Sequence, residues 1–381
     1  MSTATYFARR SEKVATLNVN CYFTLGRIRR VAFCTHLKKN QPREAWEPMG
    51  KFQQNLNIAN FICKFGHDKV LLDLAHDVVI PAFLNGFHRA YGDVKYFLTD
   101  TSLVNLSDKA RNELALVGRF VKLGKVSRDQ IYEGGKIVKD KRELDSAPTS
   151  LFVLLLSNHK LLYVRETPGA PSIETFATTI ESFIKVQLKD WINGEYERLK
   201  EAGKKVTKKQ LYEVYPLPEV NIVELSSEFT INQFVKKFSV LNSVEIRLVD
   251  TNHEIDNSPL FDKLRNVKDN LGADSLTVKN EKKGLLGLKK DYAAKLLAGP
   301  AEEGNSRITL RGLDSEGDKL QGNNDEFKLS VPIELPSRVQ SASLKMIDVY
   351  NKTLGAGLIT IKEASQASMK KLLQLKTQLG L

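Results

Sequence analysis

Cysteine is scarce in this sequence. The 381 residues include three cysteines, Cys21, Cys34 and Cys63, and no two of them form a C-x-x-C pair. Secreted domains that rely on disulfides carry many paired cysteines. With an odd number of cysteines, at least one thiol has no partner for a disulfide. The composition therefore excludes a disulfide scaffold and predicts a chain that works in the reducing cytoplasm.

Long apolar runs are also missing. No stretch approaches the roughly 20 consecutive apolar residues that cross a bilayer as a helix. The first residues, MSTATYFARRSEK, lack the apolar core of a secretion signal. We therefore expect no membrane insertion by this chain itself, and if a membrane takes part in its function, a second protein must bring it.

The usual enzyme signatures do not occur. The sequence has no GxSxG, HExxH, GxxxxGKS, GxxxxGKT or GxGxxG pattern, which removes the common motifs of hydrolases, zinc peptidases and nucleotide-binding enzymes. Four possible metal ligands lie in one region of the sequence: Cys63, His67, His76 and His88. Their spacing does not match that of known zinc sites. We expect a protein that is not an enzyme and holds no metal and no cofactor.

One acidic cluster keeps an alternative open. A nuclease gathers carboxylates around a divalent ion, and four carboxylates that could do so lie close in the sequence: Glu245, Asp250, Glu254 and Asp256. Acidic turns after strands are far commoner than metal sites. A metal-dependent nuclease therefore stands as the alternative to a binding protein.

Positive charge is abundant. Lys and Arg together number 57 against 45 Asp and Glu, which gives a formal net charge of +12. A cationic surface gains free energy from the counterions that a polyanion releases, whatever the base sequence. The charge balance thus favours nucleic acid or an anionic membrane surface as the partner.

The cations concentrate in three regions. The candidate nucleic-acid-binding residues are Arg27, Arg29 and Arg30; Lys200, Lys204, Lys205, Lys208 and Lys209; and Lys282, Lys283, Lys289 and Lys290. Flexible lysines suit contacts to phosphate, which carry no base information. Since no helix-turn-helix, zinc finger or aromatic RNA-binding motif occurs, we expect sequence-independent binding to double-stranded DNA. A basic module for RNA or protein is a further alternative.

Residues 150–202 carry the best-defined structural signals. Two apolar runs, residues 151–156 and 161–164, flank the polar tetrad 157–160 and predict a β-hairpin over 151–165. After a Pro-Gly-Ala-Pro break, Ser172 is a candidate N-cap, and apolar residues at helical spacing predict a long helix over 173–202 that ends at Gly203.

The remaining patterns predict an α+β fold of two mixed domains, with antiparallel sheets packed by helices and a helical C-terminus. The prolines near residue 215 separate an N-terminal domain, 1–215, from a C-terminal domain, 216–381. Leu114, Leu116, Val117 and Val121 indicate a helix over 107–122. Leu260, Leu264, Val267 and Leu271 make one apolar stripe of another helix, which begins at Ser258 and Pro259 and ends at Gly272. Further expectations are a helix ended by Gly299 and Pro300, and a strand over 327–335.

The C-terminal region is expected to form a homodimer. Residues 338–350 and 359–379 contain more apolar positions than the capping of a small sheet requires: Val339, Leu344, Ile347, Val349, Ile359, Ile361, Leu372, Leu373 and Leu375. Packing on its own domain is the alternative for these helices. A version ending at Pro336 is expected to be a folded monomer that binds DNA weakly.

From the hairpin onward, the order of features resembles the RexA exclusion proteins of lambdoid prophages and, more remotely, the KwaB subunit of the Kiwa anti-phage system. The similar segments are SLFVLLL, the strand end Tyr163, Val164 and Arg165, the loop RETPGAPS, LFDKLRNVKDNLGADSLTVK and RITLRGLDSEGDKL. The resemblance implies a dimeric, non-enzymatic protein that binds DNA without sequence preference and senses phage replication or recombination intermediates. It also implies a separate small membrane protein that works with it.

Overall fold

Sixteen strands and nine helices make up the part of the chain that the computed structural model describes, residues 52–106, 113–140, 142–252, 259–273, 275–361 and 365–381. The predicted α+β class, with antiparallel sheets and a helical C-terminus, is confirmed. Within the described ranges, no helix is both long and apolar enough to span a bilayer.

The strands run in chain order as follows: β1 (Asn55–Phe65), β2 (Lys69–Val70), β3 (His88–Tyr91), β4 (Val94–Asn105), β5 (Leu114–Ser127), β6 (Gln130–Glu133), β7 (Lys136–Lys139), β8 (Glu143–Ser146), β9 (Thr149–Leu155), β10 (Lys160–Arg165), β11 (Pro218–Glu224), β12 (Val240–Leu248), β13 (Leu276–Glu281), β14 (Ser306–Leu313), β15 (Lys319–Asn323) and β16 (Ser330–Pro332).

The helices are α1 (Ile80–Leu84), α2 (Ile173–Glu201), α3 (Lys208–Val214), α4 (Glu228–Val235), α5 (Pro259–Asn270), α6 (Lys290–Glu303), α7 (Asn324–Phe327), α8 (Val339–Gly355) and α9 (Gln366–Leu379). A 3-10 turn, Leu71–Leu74, and a π-helical turn, Ala75–Val79, precede α1.

A large sheet with the strand order β11-β1-β10-β9-β5-β4-β3 carries the main core. Three further strands pair at its margins: β2 and β16 with β1, and β8 with β5. One face packs under α2 and the turns before α1, while the other packs under α8. A second sheet of four strands, β13-β12-β14-β15, packs against α4 and α6, and β6 pairs with β7 in a small hairpin.

The predicted hairpin and long helix are present. Strands β9 and β10 pair antiparallel, with Leu154 opposite Leu161. Both are buried on both faces, because helices cover each side of the large sheet. The Ser172 side chain caps α2 by accepting from the Thr175 N–H, and Gly203 follows the helix with φ of 73°. This local sequence therefore sets the centre of the large sheet.

The helix predicted over 107–122 is wrong. Residues from Leu114 onward form β5, a central strand between β4 and β9, and residues 107–112 lie outside the described ranges. Its first five residues are all buried, because both faces of the sheet are covered. In a strand that is buried on both faces, apolar and polar residues do not alternate. Its continuous apolar run can therefore be mistaken for a buried helix.

Two helices differ from the sequence prediction in detail. Helix α5 buries Phe261 and Lys268, and leaves Leu260, Val267 and Leu271 exposed, because Lys268 reaches inward to a carboxylate. Helix α6 continues through Pro300 to Glu303 and ends at Gly304, which has φ of 68°. Both differences come from tertiary contacts that a residue pattern does not contain.

The strand predicted over 327–335 is shorter than expected. Phe327 ends α7, and only β16 pairs with β1 in this segment. The last two helices pack within the chain: Val339, Met346 and Ile359 join the core under the large sheet, and Leu372 and Leu375 join the core on its other face. Leu344 and Leu373 remain exposed.

Strands after residue 215 belong to both sheets. Strands β11 and β16 each pair with β1 of the large sheet, whereas β12 to β15 form the smaller one. The chain from Lys51 to Leu381 is accordingly one compact unit. The smaller sheet lies beside the edge strand β11, and a cleft lined by four cationic side chains lies between them: Lys64, Arg247, Lys268 and Arg307.

Candidate nucleic-acid interface

Strand alternation sets the chemistry of the smaller sheet. Val244, Ile246 and Leu248 of β12 point into the core, so the residues between them point to solvent. Strand β14 alternates in the same way, with Ile308 and Leu310 buried. The solvent face of this sheet therefore carries the intervening polar residues: Glu245, Arg247, Arg307, Thr309 and Arg311.

Two arginines stand directly opposite each other on this face. Arg247 of β12 and Arg307 of β14 are register partners, and both are exposed. Like charges in this position repel and destabilise a sheet. Arg307 donates to the Asn221 Oδ1 at 3.2 Å. Among the described residues, neither guanidinium has a carboxylate within 4.0 Å, so the pair is available to an external anion.

A second group of cations lies beside this pair. The Asp250 carboxylate receives the Lys268 Nζ at 2.6 Å and the Lys64 Nζ at 3.3 Å. Burial raises the pKa of the Asp250 carboxyl, but the hydrogen bond from Lys268 and the charge of Lys64 outweigh it and leave that pKa lowered. The Lys268 Nζ also lies 3.4 Å from the Asp269 carboxylate, so two ammonium groups and two carboxylates balance here, and the positive charge of the cleft comes from the arginine pair.

The two groups line one cavity of about 550 Å³ between β11 and the smaller sheet. His67, in the turn after β1, contributes a further side chain, and Glu219 of β11 is the second carboxylate of the lining. Of the described residues that line this cavity, His67 alone carries an aromatic ring. The arrangement fits phosphate oxygens better than a stacked base, since base recognition in clefts relies on stacking platforms.

Buried polar contacts hold the two sheets in place around the cleft. Lys160 donates from Nζ to the Asn60 Oδ1 at 2.9 Å, and Asn60 donates from Nδ2 to the Asn305 Oδ1 at 2.9 Å. Asn252, which follows β12, accepts from the Cys63 N–H at 2.9 Å and donates to the Phe61 carbonyl at 2.8 Å. These bonds tie β1 to the ends of β12 and β14 in the smaller sheet, so the shape of the cleft is preorganised.

The sequence-predicted lysines of residues 200–209 lie elsewhere, at the end of α2 and on α3. All five are exposed: Lys200, Lys204, Lys205, Lys208 and Lys209. Lys208 is engaged locally, because its Nζ donates to the Asn193 Oδ1 at 2.7 Å and lies 5.2 Å from the Tyr196 ring centroid. Lys204, Lys205 and Lys209 form no ion pair with another described residue, so their ammonium groups are available on this surface.

The third predicted cluster is split by the structure. Lys282, Lys283 and Lys289 are exposed on the loop between β13 and α6, while the Lys290 Nζ donates to the Phe238 carbonyl at 2.8 Å and serves the fold. This loop is at the opposite end of the smaller sheet from Arg247. The first predicted cluster, Arg27, Arg29 and Arg30, lies outside the described residues.

The carboxylates considered for a nuclease do not gather in the described part of the chain. Asp250 is held by two lysines, and Glu245 binds the Arg311 guanidinium at 3.0 Å. Ammonium groups at Asp250 oppose a divalent cation there by charge. Glu254 and Asp256 lie outside the described residues.

The cysteine and the histidines considered for a metal lie in different surroundings. Cys63 is buried in the main core, and burial raises the pKa of its thiol. His76 contacts the Asp77 carboxylate at 2.6 Å on the surface. A different group, Glu174, Glu224 and Asp325, brings three carboxylates within ligand distance of one another, but the Lys328 Nζ already binds Glu224 at 2.9 Å.

No sequence pattern assigned Lys64, Arg247, Lys268 and Arg307 to a site, and His67 was considered only as a possible metal ligand. The alternating pattern of residues 243–248 and 306–310 does indicate that Arg247 and Arg307 face solvent. It does not indicate that they are partners, because the register of two strands 60 residues apart is a tertiary property. No charge run marks these residues.

No family model matches this chain, and no curated protein matches it.

Proposed function

We propose that this chain is a sequence-independent DNA-binding protein and not an enzyme. The observation that carries the proposal is the cross-strand pair Arg247 and Arg307, whose charges repel in the absence of a bound anion. A phosphate between the two guanidinium groups would remove that repulsion. Arginine forks bind phosphate oxygens through two parallel N–H···O bonds, which makes such a contact both strong and directional.

The lysines of the cleft extend the contact along a phosphate backbone. Lys64 and Lys268 line the same cavity as the arginine pair, so their ammonium groups lie beside a phosphate bound there. Lys204, Lys205 and Lys209 add charge on the exposed end of α2 and the start of α3. Contacts of this kind fix a protein on DNA without reading its bases.

The resemblance to the RexA and KwaB proteins supplies the biological setting of the proposal. We infer a cytoplasmic homodimer that acts as a sensor in a bacterial or prophage anti-phage defence system. A small membrane protein encoded alongside would be its partner. The gene neighbourhood tests this setting, because an adjacent nuclease or helicase in place of a small membrane protein contradicts it.

DNA binding is tested with duplexes of unrelated sequence over a range of salt concentrations. For about 6 phosphate contacts, log affinity falls against log salt with a slope of roughly −5. The double variant Arg247→Gln, Arg307→Gln removes two contacts, so we expect weaker binding to every duplex and a slope smaller by about 1.8. Fluorescence anisotropy measures both quantities.

A matched variant separates the cleft from net charge. Arg128→Gln, Arg142→Gln removes the same charge, but both guanidinium groups already bind the Asp140 carboxylate at 3.1 Å. This control is expected to keep the wild-type slope. Equal losses in the two double variants would show that only total charge matters, and binding that does not depend on salt would overturn the proposal. Cleavage of DNA in the presence of Mg²⁺ would favour the nuclease instead.

A further inference from the structure

The loop between β13 and α6 presents two leucines to solvent. The leucine loop, residues 282–290, has the sequence KKGLLGLKK, and Leu285 and Leu286 at its tip are 82% and 88% exposed. Single exposed leucines are common on protein surfaces and need no explanation. Two adjacent ones at the tip of a loop are unusual, because each leaves most of its apolar area in water.

Hydrogen bonds hold this loop in its conformation. The Asn242 side chain donates to the carbonyls of Lys282 and Gly284, both at 3.1 Å. The Lys282 N–H donates to the Asn242 carbonyl at 2.8 Å, and the Leu288 N–H donates to the Leu241 carbonyl at 2.6 Å. The two leucines therefore lie on an ordered loop. An apolar partner can bind them without the entropic cost of ordering the segment.

The charges around the tip indicate what kind of partner fits. Lys282 and Lys283 precede the leucines, Lys289 follows them, and all three are exposed. Tyr292, in the first turn of α6, is 73% exposed. Leucine tips, flanking lysines and an exposed tyrosine are the combination that binds the interface of an anionic bilayer, where lysines meet headgroups and aromatic rings lie at headgroup depth.

The position of the loop separates it from the arginine cleft. Asn242 and Arg247 are five residues apart on β12, which corresponds to roughly 17 Å along the strand. The acidic turn between β14 and β15 lies at the same end of the sheet as the loop. It is two strands away from β13, about 10 Å, and one strand away from Leu241 of β12, which the Leu288 N–H bonds.

We propose that the leucine loop is a membrane-surface anchor that inserts Leu285 and Leu286 into the headgroup layer of an anionic bilayer, with Lys282, Lys283 and Lys289 on the lipid headgroups. The contact is interfacial and does not span the bilayer. It also gives these three lysines a partner other than DNA. The chain then needs no second protein to reach a membrane surface, although a membrane-embedded partner would strengthen the contact by adding a second site.

The test is co-sedimentation of the full chain with vesicles of phosphatidylcholine containing phosphatidylserine at about one third. We expect wild-type protein to bind these vesicles and not pure phosphatidylcholine. Leu285→Ser, Leu286→Ser should weaken this binding about tenfold or more, because it removes the two apolar side chains that leave water. The same variant should bind duplex DNA as the wild type does.

The control is Leu271→Ser. Leu271 is 74% exposed and lies before β13, at the end of that strand opposite the loop, so this substitution should leave vesicle binding unchanged. Wild-type protein that ignores anionic vesicles would overturn the proposal, as would a loop variant that binds them normally or a control that loses binding equally. If the wild-type protein does not bind vesicles and the loop variant loses DNA binding, the leucines are assigned to DNA instead.

Discussion

At the scale of single residues, Glu224 has a strongly raised pKa. It is 4% exposed on β11, and it faces the carboxylates of Glu174 and Asp325 as well as the Lys328 ammonium. Burial raises the pKa of Glu224 to about 7, and the two acids add to that effect while Lys328 opposes it. Asn57 also donates to its Oε1 at 2.9 Å.

This pKa predicts how stability depends on pH. An unfolded glutamate has a pKa near 4.3, so the folded state favours the protonated acid. The stabilisation from this group is complete below about pH 4 and is lost as the pH rises through about 7, with a size on the order of 3 kcal/mol. Glu224→Gln should reduce the fall in Tm between pH 5 and pH 8. Glu219→Gln, an exposed neighbour on β11, should keep the wild-type fall.

At the scale of elements, the edge of β1 depends on one side chain. Strand β10 pairs with β1 only as far as Asn60, and β2 pairs with it from Lys64. Asn252 occupies the gap, where its amide group bonds the Phe61 carbonyl and the Cys63 N–H. The Asn252 side chain thus makes the two hydrogen bonds that a neighbouring strand would otherwise make with β1. It also joins the end of β12 to the large sheet.

Removing that side chain should destabilise the chain strongly. Asn252→Ala leaves two buried backbone groups without their partner, and we expect a loss of about 2 to 4 kcal/mol in the free energy of unfolding. Asn266→Ala, at an exposed position of α5, should change that free energy by less than about 0.5 kcal/mol. Urea denaturation measures both values. A small effect at Asn252 would mean that water replaces the amide.

The elements also show which structure can be predicted from sequence. The hairpin of β9 and β10 and the helix α2 were predictable, because a turn tetrad, a proline break and the cap Ser172 are adjacent in the chain. Strand β5 was not, because burial on both faces hides its period. The Arg247 and Arg307 pair was not either, since it depends on the register between β12 and β14. Local chemistry identifies elements, and long-range pairing builds the candidate site.

At the scale of the whole molecule, the C-terminal helices complete the main core. Val339, Ala342, Met346 and Tyr350 of α8 are buried against the large sheet, and Leu372 and Leu375 of α9 are buried on its other face. Most of the apolar residues that suggested a dimer interface are therefore used within the chain. The homodimer stays a prediction, and the exposed Leu344 and Leu373 are the apolar positions of these helices that remain for it.

Truncation at Pro336 should therefore unfold the chain and not release a folded monomer. The lost helices uncover apolar side chains of β5, β9 and β10, and uncovering several such residues costs about 2 kcal/mol or more for each of them. Circular dichroism and urea denaturation of the truncated chain test this. The dimer is better examined by sedimentation of the full chain carrying Leu344→Ser and Leu373→Ser, which keeps both helices. A cooperatively folded truncated chain would contradict the expectation.

Strand β1 lies near the start of the described chain, and its partners are spread over nearly all of the rest. It pairs with β10, β11 and β16, and the bond from Ser330 to Asn57 spans 273 residues. At a synthesis rate of roughly 5 to 20 residues per second, β1 leaves the ribosome about 14 to 55 seconds before β16. Its buried apolar residues lack part of their native cover until β16 and the helix after it have been synthesised. The nascent chain is thus a natural substrate for chaperones, and its folding should be slow, as for other folds whose pairings are distant in sequence.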